Sequence, residues 1–270
     1  MSKSEIAYYL YCFTPSKCRL PTSMVGVDGQ HAVSMHACGE IGAVVSQVEL
    51  GDFCGESAEA RLQDLTWLGP RVLRHEAVIQ EFMSRAPVLP ARFATLFTSV
   101  KRIAESVAEH QAAIAEFFAE LGDKQEWGVK GILDRTGALS LLGASRRPHP
   151  EEGALASAGS RYFEEKRAKI QLERDFNFQL KDFCRRAAAA LAARSGGFRE
   201  RKVALWGEPG TGVEVVLNWA FLLAPGALDE FHAKLDRLNA GEVFSGLALT
   251  LSGPWPPYSF APDLSRCATA

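Results

Sequence analysis

Hydrophobic positions along the chain change period several times, and each change marks an element. Residues Ile6 to Phe13 (IAYYLYCF) are rich in aromatic and apolar side chains and read as a strand that Pro15 ends. Two extended pieces, Ser23 to Val27 and His31 to Ala37, flank Asp28-Gly29, a hairpin signal, and Ile41 to Val48 is β-branched. From Ala58 the period becomes helical, with Leu62 and Leu65 on one face. Gly69-Pro70 is expected to interrupt it, so that Pro70 sits in the first turn of a second helix running to about Ser84. Pro87 to Phe97 reads as a strand, and Pro90 assigns it to a sheet edge or a bulge. In the next helix Val100, Ile103, Val107, His110, Ile114, Phe117 and Leu121 recur at spacings of three and four, and Gly122 stops it.

A second unit begins there. Trp127, Val129 and Leu133 alternate along a strand from about Gln125 to Leu133. A loop rich in Gly, Pro, Ser and Arg (Gly143 to Gly159) leads into a long helix from about Arg161 to Ala193. Its expected inner face carries Ile170, Phe176, Leu180, Phe183, Ala187 and Leu191. Strands at Lys202 to Trp206 and Val213 to Leu223 flank a glycine-rich turn. A helix from Pro225 to Asn239 stops at Gly241, and a last strand covers Phe244 to Ser252. This β-α-β-β-α-β order is that of a ferredoxin-like split βαβ unit, and the first half is a looser relative of it.

Composition narrows the class. The chain has 270 residues, 47% of them hydrophobic and 23% charged, enough for one large domain or two domains of ordinary size. A formal net charge of -2 gives no nucleic-acid footprint. Charge is uneven, however: Ser160 to Lys202 holds twelve Lys/Arg against six Asp/Glu, either a solvated helix face or a docking face for an acidic partner. No stretch approaches the ~20 apolar residues of a membrane span. Met1 to Glu5 lacks a signal pattern, so the chain reads as cytoplasmic. Cys12, Cys18, Cys38, Cys54, Cys184 and Cys267 have no C-x-x-C spacing and are expected as reduced thiols.

The search for chemistry returns little. Gly207 to Gly212 has the look of a phosphate loop, but Val213 and Glu214 stand where a lysine and a hydroxyl are needed, so it reads as a hairpin turn. His31, His36 and Cys38 lack paired metal-ligand spacing. His75-Glu76 opens like a zincin helix, but Ile79 stands where the second histidine belongs. His110 reads as a satisfied core histidine, and no serine or cysteine occupies a nucleophile elbow. Catalytic, cofactor and metal residues are therefore expected to be absent. Glu76 shares a helical stripe with Val72, Ile79 and Met83, and Arg92 shares a strand face with Val88, Ala94 and Leu96. Both look inward, which predicts an internal ion pair Glu76–Arg92.

Six segments taken together are more specific. They are DLTWL (Asp64 to Leu68), RHEAV (Arg74 to Val78), PVLPARF (Pro87 to Phe93), EWGVK (Glu126 to Lys130), VLNWAFL (Val216 to Leu222) and GPWPPYSF (Gly253 to Phe260). In this order and spacing the chain, from about residue 5 to 262, resembles the gas vesicle protein F/L family. The resemblance implies an α+β fold of two modified ferredoxin-like domains plus a C-terminal extended tail, bounded here as 1–122, 123–252 and 253–270. It implies a minor, non-enzymatic gas vesicle protein, associated with the hydrophobic shell protein and other accessory proteins during nucleation and possessing no cofactor. The competing class is a small-molecule-binding or enzymatic ferredoxin-like tandem, since that fold hosts many functions.

The tail poses its own question. Pro254, Pro256 and Pro257 disfavour helix and strand, so Trp255, Tyr258 and Phe260 are expected on a stiff ribbon. Three aromatics within six residues need cover, either from the protein's own domains or from a bound partner.

Overall fold

The computed structural model describes residues 5–20, 23–145, 158–203, 212–240, 244 and 246–264. These fall into two compact units, residues 1–125 with 255–270, and residues 126–254. Each has its own buried apolar cluster.

In the first unit β1 (Ile6–Pro15), β2 (Ser34–Cys38), β3 (Ile41–Glu49) and β4 (Leu89–Pro90) form a sheet in the order β2-β3-β1-β4, with β5 (Leu96–Phe97) also paired to β1. Strands β1 and β3 run antiparallel, and their register shifts between Leu10 and Cys12. That bulge breaks the strict alternation of side chains, so neighbouring Tyr11 and Cys12 both enter the cluster that holds Tyr9. Helices α1 (Glu56–Gln63), α2 (Leu65–Met83) and α3 (Val100–Leu121) complete the unit. Val78, Ile79 and Phe82 of α2 join that cluster with Val44, Val48 and Phe53. On α3 the buried residues are Ile103, Val107, Ile114, Phe117 and Leu121, as its period requires. Gly122, at φ 55°, ends α3 in a backbone conformation that favours glycine.

Two expectations change here. The helical break lies at Asp64 and not at Gly69-Pro70: the Asp64 side chain caps α2 by accepting from Thr66 N at 2.9 Å, and Pro70 lies inside the helix. The Asp64 cap satisfies an otherwise orphan N–H at the start of α2, and Pro70, in its second turn, forgoes a single intrahelical hydrogen bond. The run from Pro87 to Phe97 is likewise two short strands and not one. Between them Ala94 takes φ 64°, and Thr95 N turns back to Arg92 O at 3.2 Å.

The second unit contains β6 (Gln125–Asp134), α4 (Arg135–Ser145), α5 (Ala158–Ala192), β7 (Gly197–Glu200), β8 (Val213–Leu223), α6 (Leu228–Ala240) and β9 (Leu247–Trp255). Its sheet order is β7-β8-β6-β9, with the first and third strands adjacent at the centre, as in a split βαβ unit. Phe176, Leu180, Phe183, Ala187 and Leu191 of α5 pack with Trp219, Phe221 and Phe231, while Ile170 is 43% exposed. Strands β6 and β8 approach closely at Gly131, where a Cβ would stand 2.6 Å from Leu217 Cγ. Helix α4 replaces the start of the expected loop, with Asp134 Oδ1 accepting from Gly137 N at 2.9 Å at its entrance. Strand β7 lies just before the expected strand at Lys202 to Trp206, of which Lys202 and Val203 are not in a strand; positions 204–206, the turn at 207–211 and Cys267 lie outside the described residues.

A buried carboxylate does have an arginine partner, but in this unit. Glu126 of β6 is 1% exposed and pairs with Arg201, whose backbone N also donates to Asn218 O of β8 at 2.8 Å. Among the described residues no helix is long and apolar enough to cross a membrane, and no cluster of His, Cys, Asp and Glu could hold a metal ion.

Candidate functional site

Position 75, and not 76, is where α2 turns a polar side chain fully inward. The buried stripe is His75, Val78, Ile79 and Phe82, one position away from the stripe through Val72 and Glu76. His75 is packed among the rings of Tyr9, Tyr11 and Phe93. Its Nδ1 lies 2.9 Å from Tyr9 Oη, and its Nε2 lies 3.1 Å from Tyr258 Oη of the tail. Tyr258 Oη donates to Glu76 Oε1 at 2.9 Å, and Tyr9 Oη accepts from Ala94 N at 3.0 Å.

With Glu76 ionised, these contacts are consistent with one assignment of the protons in the row. Tyr258 uses its one hydrogen on the Glu76 carboxylate, so it accepts from His75 Nε2–H. His75 Nδ1 is then the acceptor for Tyr9 O–H, and Tyr9 in turn accepts the Ala94 amide. A neutral imidazole satisfies the row and an imidazolium does not. Burial also pushes the His75 pKa down to about 4, opposed only by a hydrogen bond to the Ala91 backbone. Burial raises Tyr9 and Tyr258 above the usual phenol range and raises Glu76 above the usual carboxylate range, the last against the Tyr258 hydrogen bond.

The pH dependence has two signs. His75 has a folded pKa below its unfolded value, so its contribution is present above pH 6.5 and is lost as pH falls through about 4. Glu76, raised in the fold, contributes when protonated and loses that contribution as pH climbs through its folded value. For His75 the shift corresponds to about 3 kcal/mol. Denaturant melts stepped from pH 7 to 4 should show that loss, and His75→Gln should flatten the slope between pH 6.5 and 4. An unchanged slope in the variant would remove His75 from the account.

Arg92 lines the cleft beside Tyr258 but forms no ion pair with Glu76. The loop that places Ala94 under Tyr9 interrupts strand parity and leaves Arg92 exposed, so the expected Glu76–Arg92 ion pair is absent and Tyr258 is the partner of Glu76. The tail is also less ribbon-like than expected. Strand β9 runs through Pro254 to Trp255, and a turn follows in which Tyr258 N donates to Pro256 O at 2.7 Å. Pro256 and Pro257 are buried, Tyr258 and Phe260 are partly covered, and Trp255 is 42% exposed. Beside Tyr258 lies a cleft of about 590 Å³ whose lining includes Leu10, Phe13, Leu89, Ala261, Pro262 and Leu264.

These features sit on motif residues: His75 and Glu76 in RHEAV, Ala94 just beyond PVLPARF, Glu126 in EWGVK and Tyr258 in GPWPPYSF. The chain matches the gas vesicle synthesis protein GvpL/GvpF family over residues 7–262. It is 29% identical over 266 residues to gas vesicle protein L of Streptomyces sp. (strain CB03234), covering 97% of this chain and 94% of that protein. It is 26% identical over 253 residues to gas vesicle protein F of the same organism, covering 89% and 93%. Its fold is similar to the crystal structure of GvpF from Anabaena sp. PCC7120, with a TM-score of 0.68 and 17% identity over 95% of this chain and 96% of that one. With a family match that spans both units and the tail anchor, the chain belongs to the GvpL/GvpF family of gas vesicle synthesis proteins.

Proposed function

We propose that this chain is a non-enzymatic accessory protein of gas vesicle assembly. It binds the hydrophobic shell protein, limits its aggregation while vesicles nucleate, and acts with other gas vesicle accessory proteins on the cytoplasmic vesicle. The observation that carries this reading is the family match over residues 7–262. The cleft beside Tyr258 supports it, because walls of Leu10, Phe13, Leu89 and Leu264 suit an apolar chain segment. The neighbouring polar row supports a binding role over a catalytic one. Tyr9, His75, Tyr258 and Glu76 bond to one another, and His75 stays neutral at physiological pH.

Vesicle-forming cells deprived of this chain should give few floating vesicles, and their shell protein should collect in the insoluble fraction. Re-expression should restore both. Normal vesicle yield in its absence would refute the proposal.

A further inference from the structure

Helix α5 presents two faces with different chemistry. One is the core face of Phe176, Leu180, Phe183, Ala187 and Leu191. The other carries Phe163, Arg167, Ile170, Arg174, Phe178, Lys181 and Arg185, at successive spacings of four, three, four, four, three and four, which aligns them in one stripe. All seven are exposed, with Phe163 at 63% and Phe178 at 73%. No Asp or Glu falls on the stripe; Glu164, Glu165, Glu173, Asp175 and Asp182 project elsewhere around the helix. Arg185 is partly neutralised by Asp182, at 2.6 Å, but Arg167, Arg174 and Lys181 form no ion pair among the described residues. Single exposed apolar residues are ordinary, whereas three in register, separated by cations, make a surface of defined chemistry.

The C-terminal part of the stripe opens onto a groove of about 900 Å³ between α5 and strands β7 and β8. Lys181 and Arg185 belong to both the stripe and the groove. Ala188, Ala189 and Ala192 line the helix wall, and Phe198 and Val216 line the strand wall. Small side chains on one wall let another backbone approach closely, and the apolar residues facing them reward it. Glu200 and Glu214 also line the groove, with Glu214 held by Arg135 at 2.5 Å. A bilayer surface is flat and anionic, so a concave groove that carries the Glu200 and Glu214 carboxylates fits it poorly.

We propose that the stripe and groove of α5 dock an acidic amphipathic helix of a partner protein. Its apolar ridge would lie along Phe163, Ile170 and Phe178, and its flanking carboxylates would meet Arg167, Arg174 and Lys181. From Phe163 to Arg185 the stripe is about 33 Å long, the length of a helix of about 20 residues. This site is in the second unit, and its ligand is a charged helix, so it is distinct from the apolar cleft assigned to the shell protein.

The test uses the full chain and two labelled peptides of 20 residues, each with leucines at helical i, i+4 and i+7 spacing, one flanked by Glu and its twin by Lys. Fluorescence anisotropy should show saturable binding of the Glu peptide and at least about tenfold weaker binding of the Lys twin. The triple variant R167E/R174E/K181E should weaken the Glu peptide by about tenfold or more and favour the Lys twin. F163S/I170S/F178S should remove saturable binding of the Glu peptide. These side chains are exposed, so the variants should melt like the parent, and R167Q/R174Q/K181Q serves as a milder second set. Equal binding of the two peptides, absence of saturable binding, or indifference to both sets of variants would overturn the proposal. Flotation of the chain with phosphatidylglycerol vesicles, lost in the R167E/R174E/K181E variant, would assign the surface to a membrane and overturn the protein partner.

Discussion

Removing residues 256–270 should lower the melting temperature by about 10 °C while leaving strand β9 in place, because the tail is an anchored part of the first unit. The deletion uncovers the core around Pro256 and Pro257 and takes away the hydroxyl between His75 and Glu76. Losing one large aromatic anchor from a packed site costs about 3–5 kcal/mol. Tyr258→Phe separates the two contributions. It retains the ring but leaves the Glu76 carboxylate and the His75 N–H without that hydroxyl, a loss of about 1–3 kcal/mol. Differential scanning calorimetry on the three proteins distinguishes a structural tail from a docking tail. A truncated chain that melts like the parent yet no longer retains shell protein would make the tail a binding element. One unchanged in both respects would leave it with no role here.

Arg201→Gln should destabilise the second unit by about 3 kcal/mol, because the buried Glu126 carboxylate then loses the guanidinium charge that faces it. The double variant Glu126→Gln with Arg201→Gln should recover much of that loss, since no uncompensated charge is left inside. The check is a double-mutant cycle by urea denaturation. If the two single variants and the double variant all melt like the parent, the pair has no structural weight.

The pair also shows what sequence patterns reveal about this protein and where they stop. Periodicity pairs Glu76 with Arg92, whereas the buried carboxylate that has an arginine partner is Glu126. Strand parity is reliable only while a strand stays regular. Regular strand ends at Pro90, and the turn that follows, with Ala94 left-handed beneath the Tyr9 hydroxyl, leaves Arg92 exposed. Helix α3, with its strong three-and-four spacing and Gly122 stop, was fully readable, as were β1, β3 and β8. Helix α4 was hidden because its sequence, RTGALSLLGAS, carries two glycines and no sustained apolar stripe. The Asp134 cap was its available signal. The contacts of His75 were beyond reach from one sequence, because Tyr9 and Tyr258 lie 66 and 183 residues away from it. The six motif segments worked better than any single residue because several of the residues they contain meet in these buried networks.

Direct retention of the shell protein tests the central claim most sharply. Shell protein produced alone should sediment as aggregate; produced together with this chain, it should remain in the supernatant and co-elute with the chain on affinity purification. If the shell protein sediments to the same extent with and without the chain, and none co-elutes, the assembly role proposed here is contradicted.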